Sequence, residues 1–157
     1  MDIVFEVVDE LKKKNLKIST AESCTGGLIA SSIVDVPGVS AFFDEGYVTY
    51  SNESKNKNLF VDWEILNTYG AVSKECAEAM AEGLHKRTGA DICICSTGIA
   101  GPDGGSKEKP VGTVFLSCYY DGKCRVIENH FTGNRSEVRS ASTIKAFSLV
   151  LECLKKL

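Results

Sequence analysis

The chain has 157 residues, of which 43% are hydrophobic and 25% charged, and its formal net charge is −3 at pH 7. This length suits one domain whose core is large enough to fold without disulfides or a structural metal. The slight acidic excess argues against a nucleic-acid-binding surface, which normally carries clustered basic residues. Charges spread through residues 1–14, and no later apolar run is long enough to span a membrane, so we expect a cytoplasmic protein without a membrane partner.

The seven cysteines indicate neither a disulfide framework nor a zinc site. Their number is odd, and none stands in a Cys-x-x-Cys pair or at ligand spacing from a histidine. Cys93 and Cys95 alternate with isoleucines in an apolar run, as small buried hydrophobic residues do. We therefore expect reduced cysteines, no metal site and no cofactor.

Hydrophobic periodicity predicts helices and strands that alternate along most of the chain. In chain order these are a helix over 2–14, a strand over 16–20, a helix to about 35, a strand over 42–50, helices over 52–60 and 64–69, a long helix capped by Ser73, strands over 91–95, 112–120 and 124–131, and a helix over 136–156. Asp121-Gly122 between the last two strands indicates a hairpin. The pattern predicts an α/β fold with a single domain over 1–157, a three-layer α/β/α sandwich whose mixed sheet includes a C-terminal hairpin.

The first candidate site is the segment 18–28, in which small polar residues and two glycines separate a strand from a helix. The helical spacing that begins at Leu28 puts Ser23 to Gly26 at the entrance of that helix. Free amides and the positive end of the helix dipole would face whatever lies beside Ser23. An ordinary N-cap serine explains the same pattern, and the residues alone favour that reading until a base is found.

The second candidate site is the glycine-dense segment 95–105, which follows the apolar run 91–95. Ligands of α/β proteins usually bind where a buried strand ends in such a loop. Glycines allow positive φ angles and bring bare N–H groups close to an anion. The segment therefore predicts a phosphate or oxyanion site, with a plain glycine-rich turn as the alternative.

A nucleophilic serine needs a proton acceptor, and neither histidine lies next to a candidate loop. His85 falls inside a long helix and His130 near a strand end, so the sequence does not favour a Ser-His-Asp arrangement. A lysine whose pKa is lowered can act instead, and Lys55 follows Tyr50 by about one helical turn at the same sheet edge. A solvated Lys55 and a half-buried Tyr50 remain the alternative.

Five segments in register resemble the CinA C-terminal domain family. They are Thr20 to Gly27, Gly46 to Lys55, Gly70 to Ser73, Ser96 to Gly105 and Lys109 to Val114. The resemblance spans nearly the whole chain and implies hydrolysis of nicotinamide mononucleotide to nicotinate mononucleotide and ammonia. Larger family members carry an additional N-terminal domain related to molybdopterin-binding proteins, and this chain resembles the stand-alone amidohydrolase form.

The same resemblance implies a serine nucleophile that works with a lysine and a tyrosine, and these roles fall on Ser23, Lys55 and Tyr50. It also implies substrate-binding residues in the two glycine-containing segments: Thr25, Gly26, Thr97, Gly98, Ala100 and Gly101. Thr97 and the amides of residues 98–101 would bind ligand or stabilise an oxyanion. Glu22 is assigned to the substrate site too, where it would accept hydrogen bonds from the opposite loop or orient Lys55.

The phosphate of the implied substrate calls for a cation. Arg135 and Arg139 stand at the start of the last predicted helix, and an arginine fork suits bidentate phosphate binding. Either arginine could instead pair with an acidic residue along the helix or lie on the surface. The sequence does not choose between them.

Two other classes of function compete with the enzyme. A non-catalytic nucleotide-binding or regulatory module would keep the glycine loops but release no ammonia. A structural domain that assembles with another chain would need neither Ser23 nor Lys55. The oligomeric state is left open by the sequence, and a homo-oligomer is compatible with it.

Overall fold

A computed structural model of the protein describes residues 2–155. The helices are α1 (Ile3–Lys14), α2 (Leu28–Val34), α3 (Asn52–Leu59), α4 (Trp63–Tyr69), α5 (Lys74–Thr88) and α6 (Arg135–Lys155), and the strands are β1 (Ile18–Glu22), β2 (Phe43–Val48), β3 (Ile92–Gly98), β4 (Thr113–Tyr120) and β5 (Lys123–His130). A short 3₁₀ turn covers Val39–Ala41. The predicted end of the last helix at residue 156 lies outside the described residues.

The five strands form one mixed sheet in the order β2-β1-β3-β4-β5. β1 pairs in parallel with both β2 and β3, whereas β4 is antiparallel to β3 and to β5. Asp121 and Gly122 adopt positive φ angles of 52° and 75°, the conformation that a tight hairpin turn requires. The predicted α/β/α sandwich with a mixed sheet and a C-terminal hairpin is confirmed.

Successive side chains of a strand point to opposite faces of the sheet, and each face is covered by its own hydrophobic core. Ile92 and Ile94 of β3 belong to the core beneath α1, α2 and α6. Cys93 and Cys95, on the opposite face of the same strand, belong to the core beneath α3, α4 and α5. This period of two is what an extended strand buried on both faces produces. All seven cysteines are free thiols, and these two are packed as the apolar pattern predicts.

Helix α3 is held against the sheet by its close approach to α5. A Cβ atom at Gly83 of α5 would lie 1.7 Å from the carbonyl oxygen of Leu59, so only glycine allows the two helices to pack at this distance. Ser51 caps α3 by accepting a hydrogen bond from the amide of Ser54, and the predicted cap Ser73 does the same for Cys76 of α5. These contacts fix the helix that carries Lys55.

The central strand β3 is longer than the sequence pattern suggests. Ser96, Thr97 and Gly98, expected in a loop, continue the strand and pair with Leu116, Phe115 and Val114 of β4. Polar and glycine residues extend a strand here because the neighbouring strand supplies the backbone partners. The loop proper therefore begins at Ile99. Within residues 2–155, no helix is both long and apolar enough to cross a membrane.

Candidate active site

A cavity of about 270 Å³ opens at the sheet edge where the parallel strands β1, β2 and β3 end. Open α/β sheets bind ligands at the carboxyl ends of their parallel strands, near the point where the strand order reverses. Residues from both candidate segments, from the β2–α3 connection and from α6 line the cavity: Ser23, Cys24, Tyr50, Lys55, Ala71, Val72, Thr97, Gly98, Ile99, Ala100, Gly101, Asp103, Gly104 and Arg135.

Ser23 stands directly after β1 and is bonded to the neighbouring strand. Its amide donates to the carbonyl oxygen of Ser96 at 2.9 Å, which fixes the backbone just where the chain leaves the sheet. The N-cap of α2 is Gly27, at φ 105°, and not Ser23. The interpretation of Ser23 as a helix cap is therefore wrong, and its hydroxyl is left to face the cavity and Lys55.

Lys55 is a deeply buried lysine at this edge, with only 1% of its surface exposed. Its Nζ lies 3.1 Å from Ser23 Oγ, 2.7 Å from the carbonyl oxygen of Thr49 and 3.4 Å from that of Tyr50. Lys55 shares the inner face of α3 with Leu59, one helical turn later. The reading of Lys55 as a solvated lysine is wrong, because the inner face of α3 carries it into the protein.

Burial lowers the pKa of the Lys55 ammonium below its ordinary value. The groups that oppose this shift are the thiols of Cys76 and Cys24, which could stabilise the ammonium only as thiolates. Burial raises the pKa of each of these two thiols to about 11, so both are neutral near pH 7. No thiolate charge therefore offsets the desolvation of Lys55 at neutral pH.

The hydrogen-bond partners of Lys55 orient its neutral form. A neutral amine has two N–H donors and one lone pair, and two of the three partners are carbonyl oxygens, which can only accept. In the neutral form both N–H groups can therefore be directed at the carbonyls of Thr49 and Tyr50. The lone pair is left for Ser23, the one partner with a hydrogen to give. The arrangement can remove a proton from the Ser23 hydroxyl without histidine.

Tyr50 lines the cavity, but its phenol is not directed at the lysine. The side chain is 60% exposed, and its hydroxyl accepts a hydrogen bond from Arg135 Nη2 at 3.1 Å. Only the backbone carbonyl of Tyr50 contacts Lys55. The resemblance implies that Tyr50 works with Ser23 and Lys55, and in the structure it is the main chain of Tyr50, not its phenol, that contacts Lys55.

Glu22 and Thr25 belong to the framework of the site and do not line the cavity. The Glu22 carboxylate is fully buried and accepts hydrogen bonds from Thr25 Oγ1 at 2.6 Å and from the amides of Ile29 and Ala30 at 2.9 and 3.0 Å. A negative charge at the first turn of α2 accepts hydrogen bonds from amides that have no partner within the helix, and it is attracted by the positive end of the helix dipole. The predictions that Glu22 and Thr25 bind substrate and that Glu22 orients Lys55 are therefore corrected. Both residues hold the loop and the start of α2 in place.

The two arginines have different partners. Arg139 donates from Nε to the carbonyl oxygen of Cys24 and from Nη2 to that of Thr25, both at 3.0 Å, and it packs on Gly26. Arg139 and Gly26 do not line the cavity, because this arginine is engaged in holding the loop that carries the serine. Their assignment to substrate binding is corrected on this ground.

Arg135 is the arginine that lines the cavity. It donates from Nη1 to the carbonyl oxygen of Gly101 at 2.7 Å and from Nη2 to the phenol of Tyr50. A guanidinium has five N–H donors, so three remain for a ligand. Arg139 makes two hydrogen bonds as well, so the two arginines differ in that Arg135 lines the cavity, where an anion can reach it, and Arg139 does not.

The glycine loop after β3 contributes backbone donors. Ile99 uses its amide on the carbonyl oxygen of Thr113 at 2.9 Å, and Thr97 donates its hydroxyl to the carbonyl oxygen of Ala71 at 2.8 Å. Within residues 2–155 the amides of Ala100 and Gly101 bond to no protein group, although both residues line the cavity. These two amides are the free donors of the predicted oxyanion or anion site.

Three residues that the sequence analysis did not single out hold this site together. Thr49, Ser96 and Ala71 each offer a backbone carbonyl, to Lys55, Ser23 and Thr97 respectively. A carbonyl is common to every residue type, so no pattern of side chains could have identified them. The pairing of β1 with β2 and β3 brings the oxygens of Thr49 and Ser96 to the site, and the connection between α4 and α5 brings that of Ala71.

Neither histidine contributes to the cavity. The ring of His85 stacks on Tyr119 with centroids 4.3 Å apart, and His130 bonds to Glu128 at 2.8 Å. This agrees with the expectation that a Ser-His-Asp arrangement is absent. No cluster of three or more His, Cys, Asp or Glu side chains that could hold a metal ion occurs among residues 2–155.

A larger cavity, about 450 Å³, lies at the opposite edge of the sheet beside the β4–β5 turn. It contains the thiols of Cys118, Cys124 and Cys153. A hydrogen bond with Cys153 and burial raise the pKa of the Cys118 thiol, and burial raises the pKa of Cys124 to about 12. Neutral thiols are poor nucleophiles. The smaller cavity, with its paired hydroxyl and amine, is therefore the better candidate for chemistry.

The comparison with known proteins places the chain in a family. The family model of the CinA C-terminal domain matches residues 2–154. A CinA-like protein of Dictyoglomus thermophilum is 50% identical over 144 residues, which are 92% of this chain and 35% of that protein. The chain spans about a third of the length of the curated relatives it matches.

Solved structures agree with this assignment. A competence-damaged protein (CinA) superfamily protein from Klebsiella pneumoniae has a TM-score of 0.95 at 34% identity, over 99% of this chain and 97% of that chain. The competence/damage inducible protein CihA from Agrobacterium tumefaciens has a TM-score of 0.93 at 41% identity, over 98% of this chain and 93% of that chain. Family model, sequence and structure agree, and the chain belongs to the CinA C-terminal domain family.

Proposed function

We propose that this protein is an amidohydrolase that converts nicotinamide mononucleotide to nicotinate mononucleotide and ammonia. The observation that carries the proposal is the 3.1 Å contact between Ser23 Oγ and the buried Nζ of Lys55. A hydroxyl beside an amine whose pKa is lowered is a nucleophile beside its base. The family membership supports the choice of substrate, since the motifs of this chain resemble those of nicotinamide nucleotide deamidases.

In the first half of the proposed reaction, Ser23 Oγ attacks the carboxamide carbon and its proton passes to the neutral Lys55. The negative oxygen that develops on the carboxamide is stabilised by the free amides of Ala100 and Gly101, as in other acyl-transfer sites. Lys55 then returns the proton to the amide nitrogen as the C–N bond breaks. Ammonia leaves, and the acyl group remains on Ser23 as an ester.

In the second half, water replaces ammonia. Lys55 takes a proton from the water as its oxygen attacks the ester carbon, and it gives that proton back to Ser23 Oγ when the ester bond breaks. The product leaves as the carboxylic acid, which loses its remaining proton to solvent to become nicotinate, and both residues return to their starting states. One lysine thus acts alternately as base and acid, for which a pKa close to neutrality is suited.

Arg135 is proposed to bind the phosphate of the substrate with its three remaining N–H donors. Its side chain lies in the same cavity as Ser23 and presents a planar fork to an anion. Binding the phosphate would hold the nucleotide at one end while the carboxamide reaches Ser23 at the other. On this basis we expect the mononucleotide to be a much better substrate than the riboside.

The test is ammonia release by the purified protein from three substrates: nicotinamide mononucleotide, nicotinamide riboside and nicotinamide. We expect turnover of the mononucleotide, less of the riboside, and none by Ser23→Ala. Binding of the mononucleotide without ammonia release by the wild-type protein would instead support a non-catalytic nucleotide-binding module. Turnover that persists in Ser23→Ala would exclude the proposed nucleophile.

A further inference from the structure

Two opposite charges line the candidate active site without pairing. Asp103, in the loop after β3, and Arg135, at the start of α6, face the same cavity. Asp103 forms no hydrogen bond or ion pair with any other residue in the described part of the chain. Arg135 bonds to Gly101 and Tyr50 instead. Opposite charges held apart in one small cavity fit a ligand that carries one charge of each sign.

The loop that presents Asp103 is tied to the body of the protein on two sides. At its base the amide of Ile99 donates to the carbonyl oxygen of Thr113 at 2.9 Å. Farther along, Lys109 Nζ donates to the carbonyl oxygen of Tyr69 at the end of α4, at 2.8 Å. The position of Asp103 at the cavity is thus set by contacts on both sides of it, and a ligand can meet it there.

Resting on the function proposed above, we propose that Asp103 recognises the positive charge of the substrate's pyridinium ring. The ring nitrogen of nicotinamide mononucleotide is bonded to ribose and carries a full positive charge, while the phosphate at the other end is negative. Among the lining residues, Asp103 is the one acid. The exposed ring of Tyr50 lines the same cavity and offers a π face, which also attracts cations.

This arrangement makes the protein selective for N-ribosylated pyridinium compounds. A reduced nucleotide, with a dihydropyridine ring, has the same carboxamide, ribose and phosphate but no ring charge. Arg135 treats the two ligands alike, whereas Asp103 distinguishes them. Since Asp103 is solvent-exposed, its contribution is screened, and we expect the charge preference to be about threefold to tenfold.

The test measures binding in the Ser23→Ala background, so that no ligand is consumed. Dissociation constants of oxidised and reduced nicotinamide mononucleotide are determined by calorimetry, with and without Asp103→Asn. We expect Asp103→Asn to weaken binding of the oxidised form by about threefold to tenfold and to leave the reduced form unchanged. Glu108→Gln is the matched control, because Glu108 is an exposed acid of the same loop that does not line the cavity.

The outcomes separate this inference from the function beneath it. An unchanged preference in Asp103→Asn, with ammonia still released by the wild-type protein, would overturn the role of Asp103 alone. Equal weakening of both forms would mean that Asp103 binds the ribose hydroxyls, which also overturns the pyridinium assignment. A wild-type protein that releases no ammonia, together with a Ser23→Ala variant that binds neither form, would overturn both.

Discussion

The two glycine-containing loops at the carboxyl edge of the sheet look alike in sequence but differ in what their polar groups contact. In the loop after β1 (residues 23–27, the serine loop), Thr25 bonds inward to Glu22, and Arg139 covers two of its carbonyls. In the loop after β3 (residues 99–112, the glycine loop), Asp103 and two amides face the cavity without protein partners. The resemblance to the family implied substrate-binding residues in both loops.

The difference teaches which polar residues to assign to structure and which to a ligand. Buried polar groups are nearly always hydrogen-bonded, so a satisfied network such as that of Glu22 stabilises the fold. Polar groups that reach a cavity and lack partners are available to a ligand. In the proposed function, the serine loop holds the nucleophilic hydroxyl in a rigid frame and the glycine loop supplies the surface against which the substrate lies.

The largest effect is expected from Ser23→Ala, which removes the one group of the serine loop that faces Lys55. Ammonia release from nicotinamide mononucleotide should fall at least about a thousandfold, since no other hydroxyl can form the ester. Thermal unfolding should change little, because Ser23 caps no helix. The exposed Ser31→Ala on α2 is the control. A Ser23→Ala protein with more than a tenth of normal turnover would contradict the assignment.

Lys55 should be almost as important for activity, with losses of about a hundredfold or more in Lys55→Met and Lys55→Arg. A guanidinium cannot lose its proton near neutral pH, so arginine cannot act as the base. In the wild-type protein the rate should rise with pH through the lowered pKa of Lys55 and then level off. Lys57→Met, an exposed lysine on the same helix, is the control. An active Lys55→Arg with an unchanged pH profile would rule out the base.

Lys55 also makes a prediction for stability. Its folded-state pKa lies below the unfolded value of about 10.4, so between the two values the unfolded chain binds more protons. The unfolding free energy of the wild-type protein should therefore rise with pH across that window, and that of Lys55→Met should not. Near neutral pH, Lys55→Met should be more stable than the wild-type protein. Denaturant unfolding from pH 7 to 10 measures the difference between the two proteins, in which the contributions of thiols that do not interact with Lys55 cancel.

The two arginines of α6 test the comparison directly, since Arg135 bonds to the glycine loop and Arg139 to the serine loop. Arg135→Ala should raise KM for the mononucleotide about tenfold to a hundredfold, the range expected for lost charge-assisted bonds, and should leave the riboside nearly unaffected. Arg139→Ala should instead lower the melting temperature and kcat, because the carbonyls of Cys24 and Thr25 lose their donor. The reverse pattern would show that the arginines had been assigned to the wrong loops.

Glu22→Gln should affect stability more than substrate binding. Its amide would point a donor at amides that now donate to the carboxylate, which costs about 1–3 kcal/mol of unfolding free energy. Denaturant unfolding and KM for the mononucleotide are the two measurements, and Glu53→Gln, an exposed acid of α3, is the control. A raised KM with unaltered stability would return Glu22 to the substrate site.

The smallest effect is expected from Tyr50→Phe. The phenol contacts Arg135 and not Lys55, so the change removes one hydrogen bond that positions the arginine. We expect a loss in kcat/KM of at most about tenfold, with the pH dependence of the rate unchanged. A loss as large as that of Lys55→Met, or a shifted pH profile, would mean that the phenol takes part in proton transfer.

Much of this architecture follows from the sequence by itself. Periods of two and of three to four residues in the apolar pattern predict the order of strands and helices, and Asp121-Gly122 predicts the hairpin, because these features depend on local backbone preferences. The glycine loop is recognisable as a candidate for the same reason, whereas the roles of Ser23 and Lys55 follow only from the resemblance to the family, since the residues alone also fit an N-cap serine and a solvated lysine. The burial of Cys93 and Cys95 follows from their alternation with isoleucines.

Tertiary structure alone decided what each candidate does. Lys55 is buried because α3 packs on α5 and carries its amine out of water, which lowers the pKa of the ammonium. Arg135 lines the cavity, whereas Arg139 bonds to the carbonyls of the serine loop. The third strand extends to Gly98 because β4 supplies its partners. Burial and hydrogen-bond partners depend on residues distant in the chain, which no local pattern encodes.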